Sequence, residues 1–277
     1  MSVADLAHGL VVDEHGLFIS SRNRTLAYPE EGNAVCFDLE DASFWFQHRN
    51  ECISALVKRF PPAGTILDVG GGNGFVTRRL LDEGFDAALL EPGPVGALNG
   101  KVSRKIPTVI CSTFEDARFP EASLDAVGCF DVIEHIENDH RFLEHVLAAL
   151  RPGGLLYATV PAHRWLWSQS DDTAGHYRRY SRKRLVAALP DGFDMLYFTH
   201  FFASLTLAIL LLRTLPHALG LSRKRRALSS RAEHGTGGGV AAGLLKGLLR
   251  GERRKIEKSE VIRLGSSCMF VARKKDH

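Results

Sequence analysis

Cysteine is scarce in this 277-residue chain and is never paired by spacing: Cys36, Cys52, Cys111, Cys129 and Cys268 are scattered, with no C-x-x-C among them. That excludes a zinc ribbon or a dithiol redox motif and predicts a reducing compartment. Apolar runs of bilayer length are also lacking. The stretch Phe201–Leu212 is twelve residues long, short of the ~20 needed to cross a membrane. At the N-terminus, Met1-Ser2-Val3-Ala4-Asp5 shows no basic region followed by an apolar core, so no secretory signal is expected and the cytoplasm is the expected location. No internal repeat is evident. Net charge is small, +3 over the whole chain, but it is unevenly spread. Between Ser222 and Lys258 there are eleven Lys and Arg against three Asp and Glu, a local +8 that leaves −5 for the rest. A basic appendage therefore sits on an acidic body.

What is present is a globular composition, 45% hydrophobic, enough for one α/β domain with appendages. The chain is organised around Ile66-Leu67-Asp68-Val69-Gly70-Gly71-Gly72-Asn73-Gly74-Phe75-Val76, an apolar strand that ends in an acid and passes through glycines into a helix. Glycine tolerates positive φ and lets the backbone approach a ligand, so Gly70, Gly72 and Gly74 can wrap a small molecule at the strand's end. A dinucleotide fingerprint G-x-G-x-x-G begun at Gly70 would need a third glycine where Phe75 stands, which argues against a standard NAD site.

With its acid included, Asp68-x-Gly70-x-Gly72-x-Gly74 resembles the first motif of class I S-adenosylmethionine-dependent methyltransferases, of the type-11 and type-23 kind. A second strand, Ala87–Leu90, ends in Glu91, seventeen residues after Gly74; a carboxylate there is what chelating a ribose diol requires. Further marks follow in order. Thr108–Cys111 and Leu124–Phe130 read as strands, with Phe114-Glu115-Asp116 between them and Ser123-Leu124-Asp125 as an S-x-D strand start. Where the type-11 pattern has an aspartate two residues before Glu-Asp, this chain has Thr113, so adenine recognition falls to Phe114, Glu115 and backbone groups. A helix from Asp139 to Leu150 stops at Arg151-Pro152-Gly153-Gly154 before the strand Leu155–Val160.

The resemblance implies an α/β fold: a doubly wound, seven-stranded, mostly parallel Rossmann-like sheet, closed by strands Phe193–Thr199 and Cys268–Ala272. It also implies S-adenosyl-L-methionine as cofactor, held by Asp68, Gly70, Gly72, Gly74, Glu91, Phe114, Glu115, Phe130 and Asp131. Four regions follow: residues 1–60 as an irregular lead-in and cap helix, 61–199 as the methyltransferase core, 200–260 as a helical apolar and basic insert, and 261–277 as the last strand and tail. The cap helix is read over Asp41–Phe60, where Ile53, Leu56, Val57 and Phe60 recur at helical spacing before Pro61-Pro62. Its aromatic start, with Trp45 and Arg49 nearby, suits either the substrate mouth or plain packing.

Past the fifth strand, Trp165 and the box Gly175-His176-Tyr177-Arg178-Arg179-Tyr180-Ser181 lie in a loop at the end of the sheet where substrate groups gather. Trp165, Arg178, Arg179 and Tyr180 are therefore candidate substrate residues; the alternative is that Ser181 caps a helix over Arg182–Leu189 and the arginines are solvated. Methyl transfer from a sulfonium is an in-line displacement, so the protein positions the acceptor and removes a proton. His135 and His176 are the candidate bases. Asp131-x-x-Glu134-His135 resembles the E-x-x-E-H metal set of some quinone and RNA methyltransferases, but the sequence identifies no fourth ligand and no metal is assigned.

The fourth strand lacks the Asn-Pro-Pro-aromatic tetrad of amino-methylating nucleic-acid enzymes, which favours oxygen or carbon acceptors. The insert lacks base-stacking aromatics, so nucleic acid is not the expected partner. The alternatives carried forward are a nucleic-acid methyltransferase and a non-catalytic cofactor-binding scaffold. The apolar run, the basic Ser222–Arg226, the break Gly235–Gly239 and the leucine-and-lysine helix Val240–Lys258 have the makeup of a surface-lying anchor. The expected acceptor is a small or lipid-linked molecule, met at a peripheral membrane surface.

Overall fold

Buried apolar runs supply the central strands: β3 (Ile66–Val69), β4 (Ala87–Leu90), β5 (Val109–Cys111), β6 (Leu124–Phe130) and β7 (Leu150–Pro161). A computed structural model of the chain describes residues 3–20, 37, 39–221 and 240–276. These five strands pair in parallel, β5-β4-β3-β6-β7. On the far edge, β8 (Phe193–Phe201) and β9 (Ser267–Lys274) complete the seven expected strands, with β9 antiparallel to both of its neighbours. The strand order reverses at β3, and a sheet of this kind opens a crevice beyond the C-terminal ends of its strands at that switch point.

Among the described residues the sheet has nine strands rather than seven. A hairpin, β1 (Leu10–Val12) and β2 (Phe18–Ser20), adds to the β5 edge, with β2 parallel to β5. The segment expected to be wholly irregular thus extends the sheet. Its turn is fixed by Asp13, whose carboxylate accepts hydrogen bonds from the backbone N–H groups of His15 and Leu17 at 2.9 and 2.8 Å, and by Gly16 at φ 75°.

A second difference lies before the fifth core strand. Arg151-Pro152-Gly153-Gly154 does not precede the strand but forms part of it, because β7 begins at Leu150 and the pairing register with β6 shifts between Leu124 and Ala126. Gly153 sits at φ 74°, and a Cβ on Gly154 would lie 2.8 Å from the Arg151 carbonyl. The glycines thus serve a bulge rather than a helix stop.

Helices cover both faces. On one, α3 (Asp139–Ala149) and, after the short α4 (Gln169–Ala174), α5 (Arg182–Ala188) bury Phe142, Leu143, Val146 and Leu185; on the other, α1 (Phe44–Arg59) and α2 (Phe75–Asp82) bury Ile53, Leu56, Val76 and Leu80. The helix α1 starts where Ser43 accepts the Trp45 N–H at 3.2 Å, and ends before Pro61. The helix α6 (Val240–Glu257) packs its Leu249 and Ile256 into the same layer as α1. Among the described residues, no helix is long and apolar enough to cross a membrane. The basic run Arg223–Arg226 and the Gly235–Gly239 break lie outside the described residues.

Candidate functional site

A cavity of about 610 Å³ opens at the switch point. It is lined by Asp68, Gly70, Gly72, Glu91, Phe114, Glu115, Phe130 and Asp131 from the core, and by Phe46, Arg49 and His135 at its rim. The glycine loop makes the floor. Gly70, Gly72 and Gly74 all have positive φ, at 64°, 57° and 77°, the conformation that costs a residue with a Cβ the most. Gly74 is set apart from the other two: it opens α2, does not line the cavity, and would drive a Cβ to 2.3 Å from Ile106. Its glycine serves packing under the loop.

Glu91 ends β4 with both carboxylate oxygens bound to backbone N–H groups, Oε2 to Gly72 and Oε1 to Gly93, each at 2.8 Å. This pins the acid against the loop, and each oxygen keeps lone-pair capacity for a ligand. Asp68 is wholly buried beneath. Thr77 Oγ1 donates to its Oδ2 at 2.6 Å, while Oδ1 has no hydrogen-bond partner. Burial pushes its pKa up to about 6, against the smaller opposing pulls of Thr77 and Arg49.

Arg49 reaches in from α1 to donate to Asp131 Oδ2 at 2.5 Å and to the Phe130 carbonyl at 2.6 Å, and so ties the cap helix to the end of β6. Asp131 itself is held at φ 59° with Oδ1 accepting from Thr159 at 2.9 Å. Thr113, the departure noted in the sequence, caps the one-turn helix Phe114–Ala117 by accepting the Asp116 N–H at 3.1 Å. Phe114 is buried and Glu115 is exposed, 3.7 Å from His145.

The two candidate bases meet. The rings of His135 and His176 lie 4.7 Å apart, edge to face. His176 Nδ1 pairs with Asp171 Oδ1 at 2.9 Å, which directs its Nε2 as the basic nitrogen. Burial, then the neighbouring His176, lowers the pKa of His135 to about 4. For Asp171, burial raises the pKa, but the hydrogen bonds from His176 and Arg179 outweigh it and bring the group to about 2. Beneath the pair is Glu134, 1% exposed, with Oε2 unpartnered and its pKa raised by burial and then by Asp131. The ligand atoms of Glu134, His135 and His176 all lie within 4.8 Å of one another, so these three could hold a divalent cation. Sequence reasoning named Glu134 without committing to it, and it passed over Asp171. No local spacing signals that His176 closes on a residue forty-two positions earlier.

The remaining candidates are brought near the site but not into the cavity. Arg179 donates to both oxygens of Asp171, at 2.8 and 3.0 Å. Arg178 donates to the Ile136 and Glu137 carbonyls at 2.8 and 2.5 Å, and Tyr180, fully buried, donates to Asp139 Oδ2 at 2.8 Å. These three side chains brace the segment that carries His135 and His176. Ser181 caps α5 by accepting the Arg184 N–H. Trp45 stacks on Phe202 at 3.7 Å, and Trp165, half exposed, stacks on His163 at 5.2 Å.

Residues 44–196 match a family model described as a methyltransferase domain. The chain belongs to that family. Among curated relatives, a probable S-adenosylmethionine-dependent methyltransferase of Mycolicibacterium smegmatis is 26% identical over 156 residues, 53% of this chain and 56% of the relative. A ubiquinone biosynthesis O-methyltransferase of Paramagnetospirillum magneticum is 28% identical over 94 residues, 33% of this chain and 38% of that one. The chain thus spans little more than half the length of the first of these relatives. Among solved structures, Haemonchus contortus phosphoethanolamine N-methyltransferase 2 with S-adenosyl-L-methionine aligns at a TM-score of 0.53 and 19% identity, over 89% of this chain and 57% of that one. The [4+2]-cyclase SpnF aligns at 0.52 and 18%, over 82% and 81%. Likeness at such identities shows the fold alone, and the cyclase illustrates that one fold carries different chemistries.

Proposed function

We propose that this protein is an S-adenosylmethionine-dependent methyltransferase acting on an oxygen or carbon atom of a small acceptor. The observation that carries the reading is Glu91, fixed by the Gly72 and Gly93 N–H groups beside a loop of positive-φ glycines that floors a cavity of about 610 Å³. In this reading Glu91 takes the ribose diol, Phe114, Glu115 and Phe130 border the adenine, and the methionyl end lies over Asp68, Gly70 and Arg49. The acceptor's O–H or C–H proton goes to His176 Nε2, and the electron pair left on that oxygen or carbon attacks the sulfonium methyl; the C–S bond breaks and the sulfur leaves as a neutral thioether. His176 is given the role because Asp171 orients its ring through Nδ1, whereas burial holds His135, the one of the pair that lines the cavity, neutral.

The unpartnered Glu134 Oε2 favours a second reading of the same corner: Glu134, His135 and His176 fit a divalent cation, which would lower the pKa of an acceptor hydroxyl. Calorimetry with S-adenosylmethionine, its demethylated product and NAD tests the proposal. Wild type should bind the first two and not NAD. Gly72→Val should abolish binding, and Glu91→Ala should weaken it by roughly 1.5–3 kcal/mol; NAD binding in place of S-adenosylmethionine would overturn the reading.

A further inference from the structure

The segment between β8 and β9 leaves the sheet at the same edge as the cavity, because β8 runs alongside β7 with β9 antiparallel between them. It settles between the two elements that flank the cavity mouth. Phe202 stacks on Trp45 of α1. Thr214 Oγ1 donates to the Leu166 carbonyl at 3.1 Å, and His217 lies 3.4 Å from Asp172, in the short helix Gln169–Ala174. Phe46 and Arg49 of α1, and Ala174 at the end of that short helix, line the cavity. The segment is therefore a neighbour of the opening, not a remote appendage.

Its outward side is apolar. Leu207, Leu211 and Leu215 recur every four residues along the helical stretch 206–218 and are 64, 51 and 42% exposed; Leu212, Leu219 and Leu221 are 71, 69 and 69% exposed. Six exposed leucines within fifteen residues form a patch, whereas single exposed leucines would need no explanation. The helix α6 shows the same division: Leu249 and Ile256 are buried on the core, and Leu244 and Leu248 are 66 and 52% exposed. Between the two leucine rows the sequence runs Arg223-Lys224-Arg225-Arg226, and the whole of Ser222–Lys258 carries eleven basic residues against three acidic ones. One acidic residue, Glu252, is spent internally, accepting from His48 and from the Phe202 and Ala203 N–H groups at 2.8, 2.6 and 2.8 Å. Apolar side chains flanked by net positive charge, with no helix among the described residues able to span, have the chemistry of an interfacial contact with acidic lipid headgroups.

We propose that residues 206–221 and α6 dock the protein on an anionic bilayer, their exposed leucines at the acyl boundary and the exposed Lys246, Arg250, Arg254 and Lys255 of α6 against the headgroups, so that the cavity mouth faces an amphipathic acceptor held in the membrane. The docking stands on the surface alone; the lipid acceptor rests on the methyltransferase proposal.

Flotation with phosphatidylcholine vesicles, with and without phosphatidylglycerol, at low and high salt, tests the docking. Wild type should float with anionic vesicles at low salt and be released at high salt. Replacing Lys246, Arg250, Arg254 and Lys255 by glutamine, or Leu207, Leu211, Leu212 and Leu215 by serine, should each cut partitioning by at least about tenfold. Unchanged far-ultraviolet dichroism and S-adenosylmethionine affinity will show that these exposed substitutions leave the fold intact. Wild type that stays unbound at low salt, that floats equally with neutral vesicles, or that forms a leucine-dependent dimer and ignores vesicles overturns the docking. For the acceptor, a +CH2 product in the organic extract of cells with the protein supports the lipid class, and one found only in the aqueous phase overturns it. Vesicle binding by protein that fails to bind S-adenosylmethionine would leave the docking intact and refute the methyltransferase reading instead.

Discussion

Asp68 is held at a cost that pH should reveal. Its carboxyl is fully buried, one oxygen is bonded to Thr77, the other has no partner, and its pKa is raised from 3.8 to about 6. A carboxylate with a folded pKa above its unfolded value binds more protons folded than unfolded between those two values, so its contribution to stability falls as pH rises. At about 1.4 kcal/mol per unit the whole effect is ~3 kcal/mol, complete above pH ~6, and about 2 kcal/mol of it lies between pH 4.5 and 7.5. Asp68→Asn keeps an acceptor for Thr77 and removes the charge. The variant should be more stable than wild type at pH 7.5, and that advantage should shrink by about 2 kcal/mol at pH 4.5, because protonated wild type no longer carries the charge. Urea denaturation of both proteins at the two pH values measures the difference, and other carboxylates common to both cancel. The same variant should bind S-adenosylmethionine more weakly if the charge is retained for the cofactor's cationic end. A stability gap that does not change with pH would show that Asp68 titrates normally and that the burial argument is wrong.

His176→Ala should lower turnover roughly a hundredfold or more while leaving S-adenosylmethionine affinity near wild type, as measured by initial rates beside calorimetry; His135→Ala should cost less, since burial holds that ring neutral. Full activity in both variants would remove the histidines from the chemistry. Glu252→Ala strands the Phe202 and Ala203 N–H groups and His48 in a buried place, and should destabilise the protein by about 3 kcal/mol in urea. A loss under ~1 kcal/mol would mean that α6 is not anchored as described.

The parts of the fold visible in the sequence are those in which burial is two-sided and local. Leu67, Val69, Leu89 and Leu90 are wholly or almost wholly buried, and such strands read as continuous apolar runs whatever lies around them. The glycine loop is legible for a related reason: its positive φ values are properties of single residues. The β1–β2 hairpin is not, because its strands are three residues long and largely unburied; its only signal is the Asp13–Gly16 turn between Leu10-Val11-Val12 and Leu17-Phe18-Ile19. Cys52 and Leu56 follow helical spacing in α1, yet Trp45 on the same helix packs on Phe202 from a segment more than 150 positions later, and spacing carries no information about that partner.

The box from Gly175 to Ser181 shows most clearly how chemistry-bearing residues mislead when read alone. Two arginines, a histidine and two tyrosines in a loop at a sheet's C-terminal edge look like a substrate grip, and Arg178, Arg179 and Tyr180 are occupied otherwise. Arg179 pairs with Asp171, whose Oδ1 also meets His176 Nδ1; Arg178 and Tyr180 both bond to Asp139, and Arg178 also holds the Ile136 and Glu137 carbonyls next to His135. The two cations are thus consumed in fixing the two backbone segments whose histidines meet. A carboxylate as acidic as Asp171, with a pKa of about 2, stays ionised at every pH at which the protein would work, so its hold on His176 Nδ1 persists across that range. The box acts through geometry: it fixes the ring of His176 4.7 Å from that of His135, which lines the cavity.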